Sequence, residues 1–441
     1  MERTAMQDLV AWKAAPRRKP LLIRGARQVG KTWLAKEFGR REFESVLYVN
    51  FDEGIGTRAP SPLRDIFDGD LSPSRILRAL EALYATSIDP RGTLLVFDEI
   101  QAVPRALTSL KYFAEEAPEY AVVAAGSHLG VTLHPGTSFP VGKVNFLHLH
   151  PLTFSEFVAA AGRTPVAEAL RSGDWEQLAG LHALLTEWLR EYLVVGGMPE
   201  VVETYLGQRS AAAARAVQES ILSFFRADFS KHAPPAQLAR IWQVWDSIPV
   251  HLGRENQKLV WGAVRPGGRA KDFEFALQWL FDYGVAHKVP RLAKPGMPLA
   301  AYAEDDHFKV FGLDVGLLGA MAGLDAAALT LGDAAFTEFR GTLAEQFVLQ
   351  HLVAALGNGP TRPAYYWTGK AAEVDFVVQL GADVVPLEVK AGTRVRSQSL
   401  RSYLDRYEPR RAYRLSLAQY EVQPGFVNLP LYAVESLGRV R

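Results

Sequence analysis

The fold of this chain follows from one stretch, Gly25-Ala26-Arg27-Gln28-Val29-Gly30-Lys31-Thr32, which fits the pattern GxxxxGK[ST]. It stands between an apolar run, Leu21-Leu22-Ile23, and a helix-like segment that begins at Trp33. In such a stretch the glycines let backbone N–H groups curl around phosphates, the lysine reaches the outer phosphates and the threonine hydroxyl ligates Mg²⁺. An accidental glycine-rich turn is the alternative. Because of the flanking strand and helix, we predict a phosphate-binding loop (P-loop) whose residues from Gly25 to Thr32 all contact the nucleotide.

The composition limits the class of protein. A chain of 441 residues exceeds what one hydrophobic core usually supports, so about three or four domains are expected. The net charge is +1, so contact with nucleic acid has to come from local patches. Cysteine is absent, which excludes disulfides and cysteine zinc sites. Because the sequence shows neither a signal-peptide core nor an apolar run long enough to span a bilayer, we expect a cytoplasmic protein without membrane contact.

The chain changes character along its length. Strand-like and helix-like runs alternate from Leu21 to about Pro151, which is typical of a parallel α/β sheet. From Phe154 to about Phe229 the pattern is helical and alanine-rich, with a breaker at Gly196-Gly197-Met198-Pro199. Two helical faces and an extended run from Val285 to Leu292 then predict a winged helix. The segment from Gly312 to Asp333 is rich in glycine and alanine and is the expected linker.

Two strand ends near the P-loop carry residues suited to hydrolysis, which needs an acid that holds the metal and a base that activates water. The run Leu94-Leu95-Val96-Phe97-Asp98-Glu99 supplies both, with Asp98 and Thr32 as metal ligands and Glu99 as the base. A second run ends at Gly126-Ser127, so Ser127 is a candidate sensor of the outer phosphate, with an ordinary turn as the alternative. The predicted catalytic residues are therefore Lys31, Glu99 and Ser127.

These motifs, with Pro151-Leu152-Thr153-Phe154, resemble the AAA+ superfamily of ATPases, and in particular a prokaryotic group in which a Gly-Gly-x-Pro segment follows the core. Tyr192 to Pro199 matches that segment. The resemblance implies ATP and Mg²⁺ as cofactors and, because Gly-x-Pro packs near adenine in related signalling NTPases, contact of Pro199 with the nucleotide. A plain helix breaker is the alternative for Pro199. Lys143 stands where relatives often carry arginine, so no arginine finger is assigned.

Further segments match the winged helix of the same group, namely Leu252 to Asn256, Trp279-Leu280 and Phe311 to Leu318. A winged helix either binds DNA or braces the ATPase from within the molecule. Both roles stay open on the sequence.

A predicted hairpin carries the acidic residues of the C-terminal part. Gly381-Ala382 joins two strand-like runs, and a two-residue loop with glycine first suits a type II′ turn. Centring the hairpin on this loop places Asp375 opposite Glu388 and Glu373 opposite Lys390. Alternation then buries one face, which holds Val374, Phe376, Val378, Val385, Leu387 and Val389, and leaves the charged residues on the other. Facing carboxylates repel unless a cation lies between them, and a divalent metal would meet this need.

The arrangement of Asp375, Glu388 and Lys390, with Glu345 in a preceding helix from Gly341 to Leu352, is similar to the PD-(D/E)xK or restriction-endonuclease-like fold, although the usual proline is Val374 here. The resemblance implies that Asp375 and Glu388 bind Mg²⁺ or Mn²⁺, that Lys390 is the catalytic lysine and that Glu345 is an auxiliary acid. The alternative is a surface hairpin with solvated acids and a weak salt bridge between Glu373 and Lys390.

Arginines crowd the region that follows the hairpin. They are typical of a phosphate-binding surface, or equally of a solvated basic helix face. The residues are Arg394, Arg396, Arg401, Arg406, Arg410, Arg411 and Arg414.

The expected architecture is a multidomain α/β protein, with a P-loop AAA+ core around a parallel sheet at 1–153, a helical lid with Gly-x-Pro at 154–230, a winged helix at 231–330 and a restriction-endonuclease-like α/β domain at 331–441. The expected function is an Mg²⁺-dependent ATPase whose nucleotide state gates or positions a nuclease-like domain acting on DNA. The alternative is an ATP-binding switch that recruits a protein or nucleic-acid partner through a C-terminal domain that does not cleave. A DNA- or protein-moving motor ranks last, and assembly into a homo-oligomer stays open.

Overall fold

The computed structural model describes residues 1–52, 62–126, 140–254, 257–325, 339–357, 362–370, 372–393 and 397–437. The chain divides into two units, Glu2–His150 and Pro151–Arg441, which are called the N-terminal unit and the C-terminal unit below. Among the described helices, none combines the length and the apolar character that crossing a membrane requires.

A parallel sheet forms the centre of the N-terminal unit. Its strands are β1 (Leu21–Arg24), β2 (Ser45–Asn50), β3 (Thr93–Asp98), β4 (Ala121–Ala125) and β5 (Asn145–His148), in the order β2-β3-β4-β1-β5. The helices are α1 (Ala5–Ala14), α2 (Lys31–Glu42), α3 (Pro62–Asp68), α4 (Pro73–Tyr84) and α5 (Pro104–Glu116). The predicted parallel α/β sheet is confirmed. Because β4 lies between β1 and β3, the P-loop and the acidic strand end are separated by one strand.

Aromatic side chains pack together beside this sheet. Phe51, Phe67, Phe97 and Phe113 meet edge to face, with ring centroids 5.2–6.1 Å apart. Strand β3 is buried over its whole length, as expected for a parallel strand covered on both faces. This packing holds the end of β3, where Asp98 and Glu99 lie, in a defined position.

Helices dominate the first part of the C-terminal unit. They are α6 (Phe154–Ala160), α7 (Thr164–Ser172), α8 (Trp175–Ala179), α9 (His182–Val195), α10 (Pro199–Gln208), α11 (Ala211–His232), α12 (Leu238–Leu252), α13 (Trp261–Val264) and α14 (Ala270–Tyr283). Three more follow, α15 (Val315–Met321), α16 (Arg340–Leu356) and α17 (Gln398–Tyr407).

The predicted linker from Gly312 to Asp333 is wrong for its first part, because α15 lies there and is buried. The side chain of Asp314 caps this helix by accepting hydrogen bonds from the N–H groups of Gly316 (2.9 Å) and Leu317 (3.0 Å). A Cβ atom on Gly316 would come within 2.4 Å of the Val195 carbonyl oxygen. The glycine therefore permits close packing rather than flexibility.

The strands of the C-terminal unit form one sheet. They are β6 (Ala286–Leu292), β7 (Ala303–Gly312), β8 (Tyr365–Thr368), β9 (Glu373–Leu380), β10 (Asp383–Val389), β11 (Tyr413–Ser416), β12 (Glu421–Gln423) and β13 (Phe426–Pro430), in the order β12-β13-β11-β10-β9-β8-β6-β7. The ribbon of β6 and β7, predicted as part of a winged helix, continues this sheet through parallel pairing of β6 with β8. The winged helix, the restriction-endonuclease-like fold and the four domain ranges stay predictions.

Candidate functional site

The P-loop connects β1 to α2 through backbone conformations that glycine favours. Gly25 has φ 145°, Gly30 has φ 94°, and Gln28 also adopts a positive φ of 65°. A Cβ atom on Gly25 would lie 2.2 Å from the Leu149 carbonyl oxygen, so no larger residue fits there. The loop therefore has the curled backbone that exposes N–H groups to an anion.

Lys31 opens α2 and is buried, with 7% of its surface exposed. Its Nζ donates to the carbonyl oxygens of Gly25 (3.0 Å) and Ala26 (2.8 Å). Burial lowers the pKa of Lys31 to about 8, and the carboxylates of Glu99 and Asp98 oppose that shift. An anion beside this ammonium group would favour its charged form and so oppose the effect of burial, as the two carboxylates do.

Thr32 and Asp98, predicted as metal ligands, are in direct contact. Thr32 Oγ1 donates to Asp98 Oδ2 at 2.7 Å. The hydroxyl of Tyr48, on β2, donates to the same oxygen at 2.8 Å, and the Glu99 N–H donates to Oδ1 at 3.0 Å. Three donors therefore orient the buried carboxylate of Asp98. Sequence reasoning missed Tyr48, for which the only available signal was a polar residue on the strand next to β3.

Glu99 directly follows β3 and has a positive φ of 50°. Its carboxylate accepts a hydrogen bond from the side-chain amide of Gln101. Among the other predicted residues, Ser127 lies outside the described residues, and Pro199 is the first residue of α10 in the C-terminal unit. The contact of Pro199 with a nucleotide stays a prediction.

The residues at the P-loop fit a magnesium nucleotide. Hydroxyl and carboxylate oxygens are the hard ligands that Mg²⁺ takes, and Thr32 and Asp98 supply one of each at a shared position. Lys31 supplies a positive charge for phosphate beside them. Phosphate and metal sites therefore adjoin one another, as a magnesium nucleotide requires.

The C-terminal hairpin has the predicted register. Strands β9 and β10 pair antiparallel, with Leu387 opposite Phe376 and Val385 opposite Val378, and Gly381 in the turn has φ 63°. The predicted apolar face is buried throughout. Asp375 Oδ2 accepts a hydrogen bond from the Val389 N–H at 2.7 Å, so Asp375 lies beside Glu388 as expected.

A buried lysine lies among the acids of this hairpin. Lys309, on β7, is 1% exposed, and its Nζ is 2.7 Å from Glu373 Oε1 and 3.6 Å from Glu345 Oε2. Gln257 bridges Lys309 and Glu345. Its amide oxygen accepts a hydrogen bond from Lys309 at 3.2 Å, and its Nε2 donates one to Glu345 at 2.9 Å. Burial alone would lower the pKa of Lys309, but Glu345 and Glu373 raise it.

The salt bridge between Glu373 and Lys390, which belonged to the alternative interpretation of the hairpin, is replaced by two other ion pairs. Glu373 pairs with Lys309, and Lys390 Nζ lies 3.3 Å from Glu388 Oε1. Glu388 is buried rather than solvated, and burial raises its pKa. Sequence reasoning missed Lys309, because a strand that is distant in sequence brings it in.

The acids of this region, Glu345, Glu373, Asp375 and Glu388, are called the carboxylate cluster below. Two of their oxygens, Glu345 Oε2 and Glu388 Oε2, are buried and accept no hydrogen bond. The part of the chain that the structure describes contains no group of three or more histidine, aspartate or glutamate side chains arranged to hold a metal. Two lysines thus already supply the cations that facing carboxylates need. The metal site predicted at Asp375 and Glu388 stays a prediction.

Comparison with known protein families agrees with the fold of the N-terminal unit. Residues 17–158 match a family model described as an AAA domain. This part of the chain is an AAA domain of the P-loop ATPase class. Residues 186–328 and 340–434 match two domains of unknown function, DUF8612 and DUF4143. No protein with curated annotation matches the chain.

Solved structures resemble the chain only distantly. The Walker-type ATPase PABY2304 of Pyrococcus abyssi is 13% identical with a TM-score of 0.46, and the match covers 73% of this chain and 95% of that one. The ORC1 protein of Aeropyrum pernix, solved in complex with DNA, is 14% identical with a TM-score of 0.29, and coverage is 75% and 94%. Cdc6p from Pyrobaculum aerophilum is 12% identical with a TM-score of 0.24, at 74% and 92%. Because these values are low, no property of the three proteins is carried over.

Proposed function

We propose that the AAA domain binds ATP with Mg²⁺ and hydrolyses it. The observation that carries the proposal is the contact of Thr32 with Asp98 beside the buried Lys31. Lys31 neutralises the outer phosphates, and Thr32 and Asp98 hold the metal, which supplies further neutralisation of phosphate charge when it is bound. Ser127 belongs to this proposal as the sensor, because a strand-like run ends there, and Pro199 belongs to it as the adenine contact, on the family resemblance alone.

Glu99 is the base in this proposal. Its carboxylate directly follows the strand that carries Asp98 and acts electrostatically on Lys31, a position that suits activation of a water beside the outer phosphate. The Gln101 amide holds the carboxylate in place before reaction.

Glu99→Gln tests the base directly. The variant keeps the size of the side chain but cannot take a proton, so we expect nucleotide affinity within about twofold of the parent and turnover lower by about 100- to 10,000-fold. Binding is followed with a fluorescent ATP analogue and turnover by phosphate release. Glu116→Gln, an exposed glutamate at the end of α5, is the matched control. Undiminished turnover in Glu99→Gln would remove Glu99 from the role of base.

For the C-terminal unit, we propose DNA binding without cleavage, under the control of the AAA domain. Lys309 and Lys390 already neutralise the acids of the carboxylate cluster, and this favours a structural role for these acids over a catalytic one. A second feature favours an anionic partner. An open cavity of about 930 Å³ is lined by three arginines, Arg401, Arg406 and Arg414, and by two acids, Asp405 and Glu421.

The arginines that follow the hairpin do not share one role. Arg411 pairs with Asp383 at 2.8 Å, and Arg414 is buried and donates to Asn428 at 2.8 Å and to Ser397 at 3.1 Å. Arg401 and Arg406 are exposed at the cavity, which suits contact with phosphate. Arg394 and Arg396 lie outside the described residues.

Metal-dependent cleavage is the second candidate, and the two buried oxygens that accept no hydrogen bond favour it. One experiment separates the candidates: the protein is incubated with Mg²⁺ or Mn²⁺, ATP and supercoiled, linear or branched DNA. DNA retention that falls in the double variant Arg401→Ala/Arg406→Ala, without cleavage, supports binding alone. Cleavage that Asp375→Ala and Lys390→Ala both abolish would establish a nuclease instead. Arg410→Ala is the control, because Arg410 is exposed and only distantly paired with Asp383, at 3.9 Å.

A further inference from the structure

The two glycines of the Gly-Gly-x-Pro segment are required by contacts inside the C-terminal unit. Gly196 has φ 74°, and a Cβ atom there would lie 2.1 Å from Asp314 Oδ1. A Cβ atom on Gly197 would lie 2.1 Å from the Leu152 carbonyl oxygen. Larger residues therefore do not fit at either position. The segment brings two distant parts of the chain, Leu152 and Asp314, into contact.

Buried hydrogen bonds join these parts into one network. The Leu152 N–H donates to the Gly197 carbonyl, and the Gly197 N–H donates to Asp314 Oδ2, both at 2.6 Å. Gln350 Nε2 donates to Asp314 Oδ2 (3.1 Å) and to the Tyr192 hydroxyl (2.9 Å), while that hydroxyl donates to the Leu152 carbonyl. The five residues are called the hub below. Because the bonds form a closed ring, moving one member disturbs the others.

Helix α16 contacts the hub at Gln350 and the start of the C-terminal unit at the next residue. His351 accepts a hydrogen bond at Nε2 from the Phe154 N–H (2.8 Å) and donates from Nδ1 to the Phe347 carbonyl (2.7 Å). The same helix carries Glu345 of the carboxylate cluster, about 9 Å further towards its N-terminus at 1.5 Å per residue. A shift of α16 as a rigid element would therefore move both the hub contacts and Glu345.

The chain that enters the hub comes directly from the P-loop region. In the N-terminal unit, the Leu149 N–H donates to the Arg24 carbonyl at 2.8 Å, and the Leu149 carbonyl occupies the space beside Gly25. Leu149 precedes Leu152 by three residues, a span of about 10 Å when extended. A covalent segment of three residues therefore links the strand beside Gly25 to the first residue of the hub.

We propose that the hub relays the nucleotide state of the P-loop to α16, and through α16 to the carboxylate cluster. This proposal rests on the proposed binding of ATP to the P-loop. It adds the route by which that binding affects α16. ATP biases the backbone at Gly25, the segment from Leu149 to Leu152 follows, and the ring of hydrogen bonds passes the change to Gln350. A closed buried network has discrete arrangements rather than a continuous range, so it responds as a switch.

Tyr192→Phe breaks the ring with little other change. The aromatic ring keeps its packing against Phe154, Phe157 and Phe347, while the link from Gln350 to Leu152 is lost. Tyr205→Phe is the matched control, since it also removes the hydroxyl of a buried tyrosine, bonded in that case to Glu191 outside the hub. The readout is hydrogen exchange of the full chain with and without a non-hydrolysable ATP analogue and Mg²⁺, in peptides that contain Leu152, Gly197 and Val315. The N–H groups of these three residues bond within the hub or to Gln350.

We expect the ATP analogue to change exchange in these peptides by at least about fivefold in the parent and in Tyr205→Phe, and by less than about twofold in Tyr192→Phe. Analogue binding is measured in parallel by fluorescence. Binding without a change of exchange in the parent, or a full response in Tyr192→Phe, overturns the relay and leaves the proposed ATP binding intact. Absence of binding overturns the proposed ATP binding, and the relay with it.

Discussion

The P-loop site and the carboxylate cluster both combine buried lysine with acidic side chains, but they arrange the charges differently. At the P-loop, Lys31 donates to backbone carbonyls and Asp98 accepts from two hydroxyls and a backbone N–H. In the carboxylate cluster, Lys309 and Lys390 lie against the acids themselves. At the P-loop, the lysine and the aspartate therefore bond to neutral groups. In the carboxylate cluster, the lysines and the acids form ion pairs with one another.

This difference indicates which site is built for a charged ligand. Groups that are oriented by neutral partners keep their charge available to phosphate and metal. Acids already paired with lysine offer less, because a ligand would first have to displace a buried ion pair. The same residue types therefore support binding at one site and mainly stability at the other.

The largest effect is expected from Lys309→Met. The substitution removes the buried ammonium group that pairs with Glu345 and Glu373. Loss of a buried ion-pair partner lowers the unfolding free energy by about 3–5 kcal/mol. Urea denaturation measures the loss. Lys288→Met is the matched control, because Lys288 pairs at 2.8 Å with the exposed Asp305 on the same ribbon and such pairs contribute about 1 kcal/mol or less. Equal losses in the two variants would contradict the structural role of Lys309.

Lys31→Ala is expected to lower kcat/KM for ATP by at least about 100-fold, since a buried positive charge beside the phosphates is lost. The variant should unfold at nearly the same urea concentration as the parent, in contrast to Lys309→Met. Lys111→Ala, on the exposed face of α5, is the control and should leave turnover unchanged. A Lys31→Ala protein that turns over ATP normally would show that this lysine, like Lys309, is structural.

Tyr48→Phe removes one of the donors that orient Asp98 while keeping the ring. Hydrogen bonds to charged groups contribute about 1.5–3 kcal/mol, so turnover should fall about tenfold or more. The Mg²⁺ concentration for half-maximal turnover should rise, whereas ATP affinity without Mg²⁺ should not change. Tyr112→Phe, at a partly buried tyrosine of α5 in the same unit, is the control. An unchanged Mg²⁺ dependence would mean that Thr32 and the Glu99 N–H orient Asp98 sufficiently.

The smallest effect concerns pH. Burial raises the pKa of Glu345 to about 7, although Lys309 opposes the shift. Since a raised carboxyl pKa favours the protonated native state, the unfolding free energy contributed by this group is greatest at low pH and declines as pH rises through 7. In Glu345→Gln the difference in unfolding free energy between pH 5 and pH 8 should shrink by about 1 kcal/mol. Urea titrations at both pH values measure this difference. If it is the same in Glu345→Gln and in the parent, a group other than Glu345 causes the pH dependence.

Local patterns in the sequence predicted several elements correctly. The strand, glycine-rich loop and helix around Lys31 depend on residues adjacent in the chain, and the structure confirms them. The register of β9 with β10 follows from a two-residue turn and period-2 alternation, and this too is confirmed. In each case the interacting residues are close in sequence, so the pattern contains the needed information.

The errors concern residues whose meaning depends on distant neighbours. The glycines of the segment from Gly312 to Asp333 led to the prediction of a linker. One of them, Gly316, instead allows α15 to pack closely against the Val195 carbonyl. The alternative interpretation of the hairpin paired Glu373 with Lys390, yet Glu373 pairs with Lys309 from β7. Neither partner could be inferred from spacing, because each belongs to another element of the unit.

The sequence by itself determined the P-loop, the acidic end of β3 and the charged hairpin, since local steric and periodic rules act on consecutive residues. Only the tertiary structure decided how these groups are compensated. Packing of separate strands brought Tyr48 to Asp98 and Lys309 to Glu373, and close approach at Gly197 joined Leu152 to Asp314. Hydrogen bonds and ion pairs act over a few ångströms in space regardless of distance along the chain, so their partners exist only once the chain has folded.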